Sequence, residues 1–377
     1  MRFRDVRSQD RALALLRRAL QSGRTPHAYL FEGPEGVGKE LAAAALAARL
    51  LCLNPSSAEA CGACESCRLF AARTHPDYHL VHRGLHKRHP DRAVRVSKGL
   101  FLAVDVIRQF LIEPATRSPS LSARRVFTLR DAERMNEGAQ NALLKTLEEP
   151  PGQACLVLVA SSADRLLATI RSRCQRVPFG LLPEEFVRQK LAEAGADPQA
   201  AAALASLAEG SVGAALRWLR ADVLATLGQL DGLLKGRAFE SPERFGKRVI
   251  ELAEELAPRL NAGDDEEESD DDPRGAAARG RSAKAIPTDQ LREALKLTLR
   301  MLAAALRDAL RISVGAAPAL GRASAAAEAL RAGAAFDLLD ARISAVARAE
   351  EMFDRNVAPQ LALERLACAL SGDLAPV

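Results

Sequence analysis

Phe31-Glu32-Gly33-Pro34-Glu35-Gly36-Val37-Gly38-Lys39-Glu40 is the stretch on which the reading of this chain turns. It follows an apolar run, Ala28 to Phe31, and precedes a helical pattern, Leu41 to Leu51. Strand, glycine loop, helix is the context in which GxxxxGK binds phosphate. The glycines let the backbone turn and aim its N–H groups at an anion. The helix N-terminus adds a favourable dipole, and Lys39 reaches the outer phosphates. One position departs from the pattern. Ser or Thr, whose hydroxyl ligates Mg²⁺, belongs after the lysine; here it is Glu40. A carboxylate holds Mg²⁺ too, but this one is longer and sits beside a polyphosphate. The stretch therefore reads as a nucleotide-binding scaffold released from its nucleotide.

A second acid is expected downstream. Arg124 to Asp131 reads as a buried strand ending in Asp131, the place for a Mg²⁺-holding carboxylate. The residue that would orient the attacking water is Ala132, and Glu133 is expected to point elsewhere. A nucleotide would thus use Gly33, Gly36, Gly38, Lys39 and Asp131, with catalysis removed at two places. A helix-capping role is the plain alternative for Asp131. The next strand, Cys155 to Ala160, ends at Ser161-Ser162, either of which has a hydroxyl placed to reach a γ-phosphate.

Four of the seven cysteines, Cys52, Cys61, Cys64 and Cys67, are crowded together. In a reducing compartment this predicts a metal rather than disulfides. C-x₂-C spacing occurs twice, and four thiolates predict a closed, structural Zn²⁺ site. An iron–sulfur cluster suits the same donors, and His75 is an alternative fourth ligand. Cys155 and Cys174 are read as buried thiols. The chain has 377 residues, a formal charge of +5 and 48% hydrophobic residues with few aromatics. That charge permits contact with nucleic acid without demanding it. No apolar window has the length of a membrane span, and no signal peptide opens the chain. A soluble, cytoplasmic protein with no membrane partner is expected.

Elsewhere, residues 10–21 read as a helix with Leu13, Leu16 and Leu20 inward. The helix after the glycine loop is expected to bury Leu41, Ala44, Ala45, Ala48 and Leu51. His27 is read as a packing residue, and His86 to Asp91 as a solvated basic loop. Val94 to Val96 reads as a short strand, Leu102 to Leu111 as a helix stopped by Pro114, and Asn136 to Glu149 as an amphipathic helix. Leu166 to Ile170 is a short helix and Arg176 to Phe179 the last strand. After Leu182 the pattern is helical. Trp218 is read as a core residue. An acidic run, Asp264 to Asp272, interrupts the pattern and is expected to be disordered.

His27 to Phe31, Gly33 to Lys39, the four clustered cysteines, Asn141 to Pro150 and Ser172-Arg173-Cys174 together resemble the bacterial clamp-loader subunits of the AAA+ family, of the delta-prime type. The likeness is dense to about residue 180 and weaker through Gly210 to Leu216. It implies an α/β P-loop domain over 1–180 with a zinc module at 52–67. A helical lid over 181–245 follows, then an all-α collar over 246–377 carrying an acidic insertion at 262–286. It further implies that Arg173 is an arginine finger acting in trans on a neighbour's ATP, and that Ser161 or Ser162 matches the first sensor. A sensor arginine of the hydrolysing relatives is replaced by Gly213, a third missing catalytic feature. The implied partners are delta and gamma/tau subunits in a hetero-oligomeric ring, with the sliding clamp and primed DNA reached through the complex. Neither ATPase nor polymerase activity is expected of this chain alone. Its rivals are an active gamma/tau-type ATPase and a zinc-stabilised nucleic-acid-binding module.

Overall fold

The computed structural model describes residues 2–56, 58–96, 101–235, 238–262, 286–320, 325–331, 336–355 and 357–371. The chain divides into two compact units, Met1–Pro183 and Glu184–Val377.

The first unit runs α1 (Asp10–Gln21), β1 (Ala28–Glu32), α2 (Lys39–Leu51), α3 (Glu65–Ala71), β2 (Tyr78–Val81), α4 (Arg92–Arg95), α5 (Val104–Ile107), α6 (Glu113–Ala115), β3 (Arg125–Leu129), α7 (Glu137–Glu148), β4 (Ala154–Ala160), α8 (Ala168–Arg173) and β5 (Gln175–Pro178). The strands form one sheet in the order β2-β3-β4-β1-β5, every pairing parallel. A parallel sheet is covered on both faces, so its strands are apolar throughout rather than alternating. β4 shows this, with all of Ala154–Ala160 buried. α7 covers one face through Ala139, Leu143 and Leu147. Its start is fixed by Asn136, whose side chain accepts from Ala139 N at 2.8 Å. The carboxyl ends of β3, β4 and β1 lie side by side, the edge where open α/β sheets bind ligands.

Local patterns missed four features. α2 buries Ala42, Ala43, Ala45, Leu46, Ala47, Ala48, Leu50 and Leu51, while Leu41 and Ala44 are only half-buried. It packs on the sheet, on α3 and on the turn Phe3–Asp5, so it is enclosed on nearly every side rather than on one face. Val94 lies in α4 and Val96 caps it, not in a strand, because Asp91 caps Ala93 N at 2.8 Å and Arg95 reaches back to the His89 carbonyl at 2.7 Å. The His86–Asp91 segment is solvated at Lys87, Arg88, Pro90 and Asp91, as expected, but not at its two histidines. A 3₁₀ turn, Arg83–Arg88, buries His86, and His89 after it is buried too. Pro114 does not stop its helix: the turn Arg108–Ile112 is π-helical, and Pro114 follows inside α6. A π turn shifts the backbone pairing and so accommodates the missing N–H.

The second unit is helical throughout its described residues: α9 (Glu184–Glu193), α10 (Pro198–Ala208), α11 (Val212–Arg220), α12 (Val223–Lys235), α13 (Pro242–Asn261), α14 (Thr288–Ser313), α15 (Ala325–Arg331), α16 (Phe336–Asp354) and α17 (Pro359–Ser371). The spacing of Leu291, Leu295, Leu299, Leu302 and Leu306 predicts an apolar stripe; α14 buries the last four, and Leu291 is half-buried. It packs against α13 and α16, and α17 packs against both of those. Trp218 is buried, as expected of a core residue. The acidic run expected to be disordered, 264–272, lies outside the described residues.

Candidate nucleotide and metal sites

The glycine loop joins the end of β1 to α2. Gly33, Gly36 and Gly38 all have positive φ. At Gly33 the need for glycine is also steric, since an added Cβ would lie 2.2 Å from the Phe179 carbonyl oxygen. Gly38, left-handed, is the residue before α2. Lys39 is buried. Its Nζ donates to the Gly33 carbonyl at 2.6 Å and to that of Pro34. Burial pushes its ammonium below the usual lysine range. The carboxylates of Glu133, Glu35, Glu40 and Asp131 pull in the other direction. Four acids thus act on one lysine where a polyphosphate would need positive charge.

Glu40 forms an ion pair with Arg130 at 2.6 Å. Arg130 follows β3 directly, so the pair bridges α2 and the end of that strand. Ala132 is completely buried. Asp131 sits in a left-handed conformation at φ 51° and makes no side-chain cap bond, which removes the helix-capping alternative. Glu133, expected to point away, faces the tip of β4. One oxygen accepts from Ser161 N at 3.1 Å and from the Ser161 hydroxyl. Its other oxygen is buried without a hydrogen-bond partner among the described residues. Of the two serines, Ser161 is therefore the one tied to this edge. Pattern reading missed Gln9. It is buried, donates to the Val37 and Gly180 carbonyls at 3.3 and 2.7 Å, and accepts from Gly180 N at 3.0 Å. It clamps the glycine loop to the chain after β5.

Arg173 ends α8. Its guanidinium donates to Glu148 at 2.5 Å and to the Thr169 carbonyl at 3.0 Å, and its side chain stays 35% exposed. Gln140 fixes the approach to this helix. It accepts from Leu167 N at 2.8 Å and donates to the Met135 and Arg165 carbonyls. Cys174 and Cys155 are buried, as expected, and burial pushes both thiols up to about 12. His27 packs as expected, its ring bonded to the Leu147 carbonyl at 2.9 Å.

Cys52, Cys61, Cys64 and Cys67 converge, their sulfurs all within 4.8 Å of one another. Cys52 caps the end of α2, Cys64 the start of α3, and Cys67 lies within α3. Cys52–Cys64 and Cys61–Cys67 sulfur separations are each 3.9 Å. A tetrahedral Zn²⁺ with bonds of about 2.3 Å puts its sulfurs roughly 3.8 Å apart. Backbone N–H groups of Cys61, Cys64 and Cys67 point at the sulfurs of Cys52, Cys61 and Cys64. The donors fit a metal ion. Burial alone would raise the Cys64 thiol, but the N–H groups of Cys67 and Leu53 and the neighbouring thiols hold it at about 6. Burial drives Cys67 up to about 12. Crowded thiols resist joint ionisation, and a cation relieves that repulsion. His75 is not a ligand. Its Nε2 meets Ser66 Oγ at 2.9 Å and Ser122 Oγ at 3.3 Å, and both hydroxyls donate to the Leu51 carbonyl. This network straps the cysteine module to the sheet domain.

Residues 8–182 match the family model described as DNA polymerase III, delta subunit. The DNA polymerase III subunit delta′ of Pseudomonas aeruginosa is 44% identical over 148 residues, 39% of this chain and 41% of that protein. Subunit tau of Escherichia coli is 31% identical over 276 residues, 68% of this chain and 40% of that protein. A solved gamma-subunit-related protein of Thermotoga maritima is 17% identical and covers 96% of this chain and 99% of that one. Its TM-score is 0.40. The chain spans about half the length of the curated delta′ relatives it matches. No helix among the described residues is long and apolar enough to cross a membrane. Over residues 8–182 the chain is thus similar to the delta′ subunits of bacterial DNA polymerase III, in line with the resemblance its motifs carry.

Proposed function

We infer that this chain is a non-motor subunit of a clamp loader, working beside delta and gamma/tau subunits in a ring that loads a sliding clamp onto primed DNA in the cytoplasm. One observation carries the non-motor part: the Glu40–Arg130 ion pair. In an ATPase a hydroxyl at position 40 would hold Mg²⁺. Here a carboxylate occupies that position and is joined to the chain's own cation. The acids around Lys39 and the buried Ala132 act in the same direction, against polyphosphate binding and against activating a water. Gly33, Gly36, Gly38, Lys39 and Asp131 then keep the shape of a nucleotide site without its use. These features disfavour the gamma/tau-type alternative, despite the likeness to tau.

The chain's own chemistry is Arg173, offered to a neighbour's ATP. A fixed guanidinium stabilises the charge that develops on a transferred phosphoryl group. Its exposure and its two tethers, to Glu148 and Thr169, suit a group held ready for a partner. A Zn²⁺ on Cys52, Cys61, Cys64 and Cys67 would be structural, fixing the module with no open coordination position. Residues 181–245 act as the lid and 246–377 as the collar of the ring. The test is ATP binding and hydrolysis by the purified chain with Mg²⁺ over a broad nucleotide range. No saturable binding and no turnover are expected; Mg²⁺-dependent turnover would restore the motor reading.

A further inference from the structure

We propose that the second unit carries a binding site for a phosphate-class dianion, built around three arginines of α14 and independent of the glycine loop. Arg300, Ala304, Arg307 and Arg311 follow one another at helical spacings of four, three and four, so they share one face. Ala304 is the small residue among them. Over it lies a hollow of about 170 Å³ lined by all three guanidinium-bearing side chains.

One carboxylate already sits there. Glu209 ends α10 in a left-handed conformation, φ 47°, which costs a non-glycine residue energy and is held by its surroundings. From that position it bridges Arg307 at 3.0 Å and Arg300 at 3.5 Å. It occupies the arginines as a bound anion would. Asp308, the other acid lining the hollow, is spent elsewhere: it is buried and accepts from the backbone N–H groups of Ala319 and Leu320 at 2.6 and 3.0 Å. Arg300 is steadied against the Trp218 ring, 5.7 Å from its centroid. Arg311 is steadied through Nε on the Ala317 carbonyl at 2.8 Å, the one side-chain hydrogen bond it makes among the described residues. That contact does not use its terminal nitrogens. Three guanidinium groups against one half-exposed carboxylate favour an oxyanion with several acceptor oxygens, which takes forked contacts from more than one arginine. Glu209 and the dianion compete for Arg300 and Arg307.

The test is titration of the full chain with inorganic phosphate at constant ionic strength, read by calorimetry and by amide hydrogen exchange. Saturable binding is expected, with exchange slowed over 204–211 and 300–311. Arg307→Gln should weaken it by roughly tenfold or more, the scale of a lost charge-assisted contact. Glu209→Gln, which removes the competitor's charge, should strengthen it several-fold. Both side chains are half-exposed, so the variants keep the fold; hydrogen exchange of α13 and α17 checks this. Competition by a single-stranded oligonucleotide with a 5′-phosphate identifies a phosphate ester end as the source. Failure of that competitor, with phosphate still saturating, identifies free phosphate. Equal competition by the 5′-hydroxyl oligonucleotide marks general polyanion attraction and overturns the proposal. So does the absence of saturable binding, protection confined to 33–40, or an Arg307→Gln variant that binds as well as wild type.

Discussion

Replacing Cys64 by serine should empty the metal site and melt the cysteine module while sparing the sheet. The magnitude follows from what else holds that module. Its buried apolar set is Ala48, Cys52, Ala60 and Cys67, with Cys61, Cys64 and Phe70 partly buried against it. Ala48 and Cys52 also belong to the end of α2. Phe70 is the one large side chain, and it packs on Tyr78 at 4.7 Å between ring centroids. A buried methylene contributes about 0.8 kcal/mol, whereas fixing each backbone residue costs about 1–2 kcal/mol. Four alanines and cysteines therefore fall well short of ordering the segment between Cys52 and His75. Zn²⁺ contributes about 10–16 kcal/mol in small zinc modules, enough to reverse that balance. The 3.9 Å sulfur separations show the donors already near the tetrahedral spacing.

Wild-type protein purified without chelators should carry about one zinc per chain, and the Cys64→Ser variant almost none. Amide exchange over 58–74 should rise in the variant by a hundredfold or more, on the order expected for losing several kcal/mol of local stability. Exchange in β1, β3 and β4 should stay within about tenfold of wild type, because their core lies on the sheet. Wild-type protein with no bound metal would refute the assignment. So would a zinc-free variant whose 58–74 segment exchanges as slowly as wild type, because the fold would then be shown to need no ion.

Arg173→Ala should leave the chain folded, since an exposed pair such as Arg173–Glu148 contributes no more than about 1 kcal/mol. In a reconstituted clamp loader it should lower the turnover of the neighbouring ATP site by about 10³-fold, the low end for an arginine finger; unchanged DNA-stimulated ATPase would remove the finger reading. Asp77 is fully buried and accepts from the N–H groups of Ser120, Leu121 and Ser122 at 2.7–2.8 Å. Burial alone would raise its carboxyl, but those three N–H groups and Arg125 hold it below the usual range. Asp77→Asn should cost about 2–4 kcal/mol at neutral pH. A depressed folded value means that Asp77 stabilises fully above its unfolded pKa. The difference between wild type and variant in urea titrations should therefore shrink as pH falls through the folded value, and a constant difference would count against the account.

Local chemistry made half of the site legible. Gly33, Gly36, Gly38 and Lys39 announce their loop because the backbone needs positive φ there. The four cysteines announce theirs because two C-x₂-C spacings set donor distances within a few residues. What stayed hidden is nonlocal. Glu133 looked misdirected because a position one residue past Ala132 says nothing about where β4 ends, yet Ser161 lies within its reach. Gln9 reaches 171 residues along the chain to Gly180, a distance no periodicity reports. His86 and His89 read as solvent-facing because their neighbours are charged, but packing buries them. The π turn over Arg108–Ile112 was hidden by Pro114, which by itself signals a helix end.

The glycine loop has structural tasks that do not depend on a nucleotide. Gly33 has no room for a Cβ because the Phe179 carbonyl is in the way, whether or not a nucleotide binds. Gln9 ties Val37 and Gly180 together through the same corner. Lys39 donates from its ammonium to the Gly33 and Pro34 carbonyls and so braces the loop from inside. Each residue that marks the motif therefore has a packing task of its own. Glu40 and Ala132 are the positions where packing does not demand the ATPase residue: Glu40 gains Arg130 as a partner, and Ala132 fills a space closed on all sides. Restoring threonine at 40 alone would take the Glu40 carboxylate from Arg130, and glutamate at 132 would have to enter the core. The motif is retained by the fold, and its presence alone is no measure of nucleotide use.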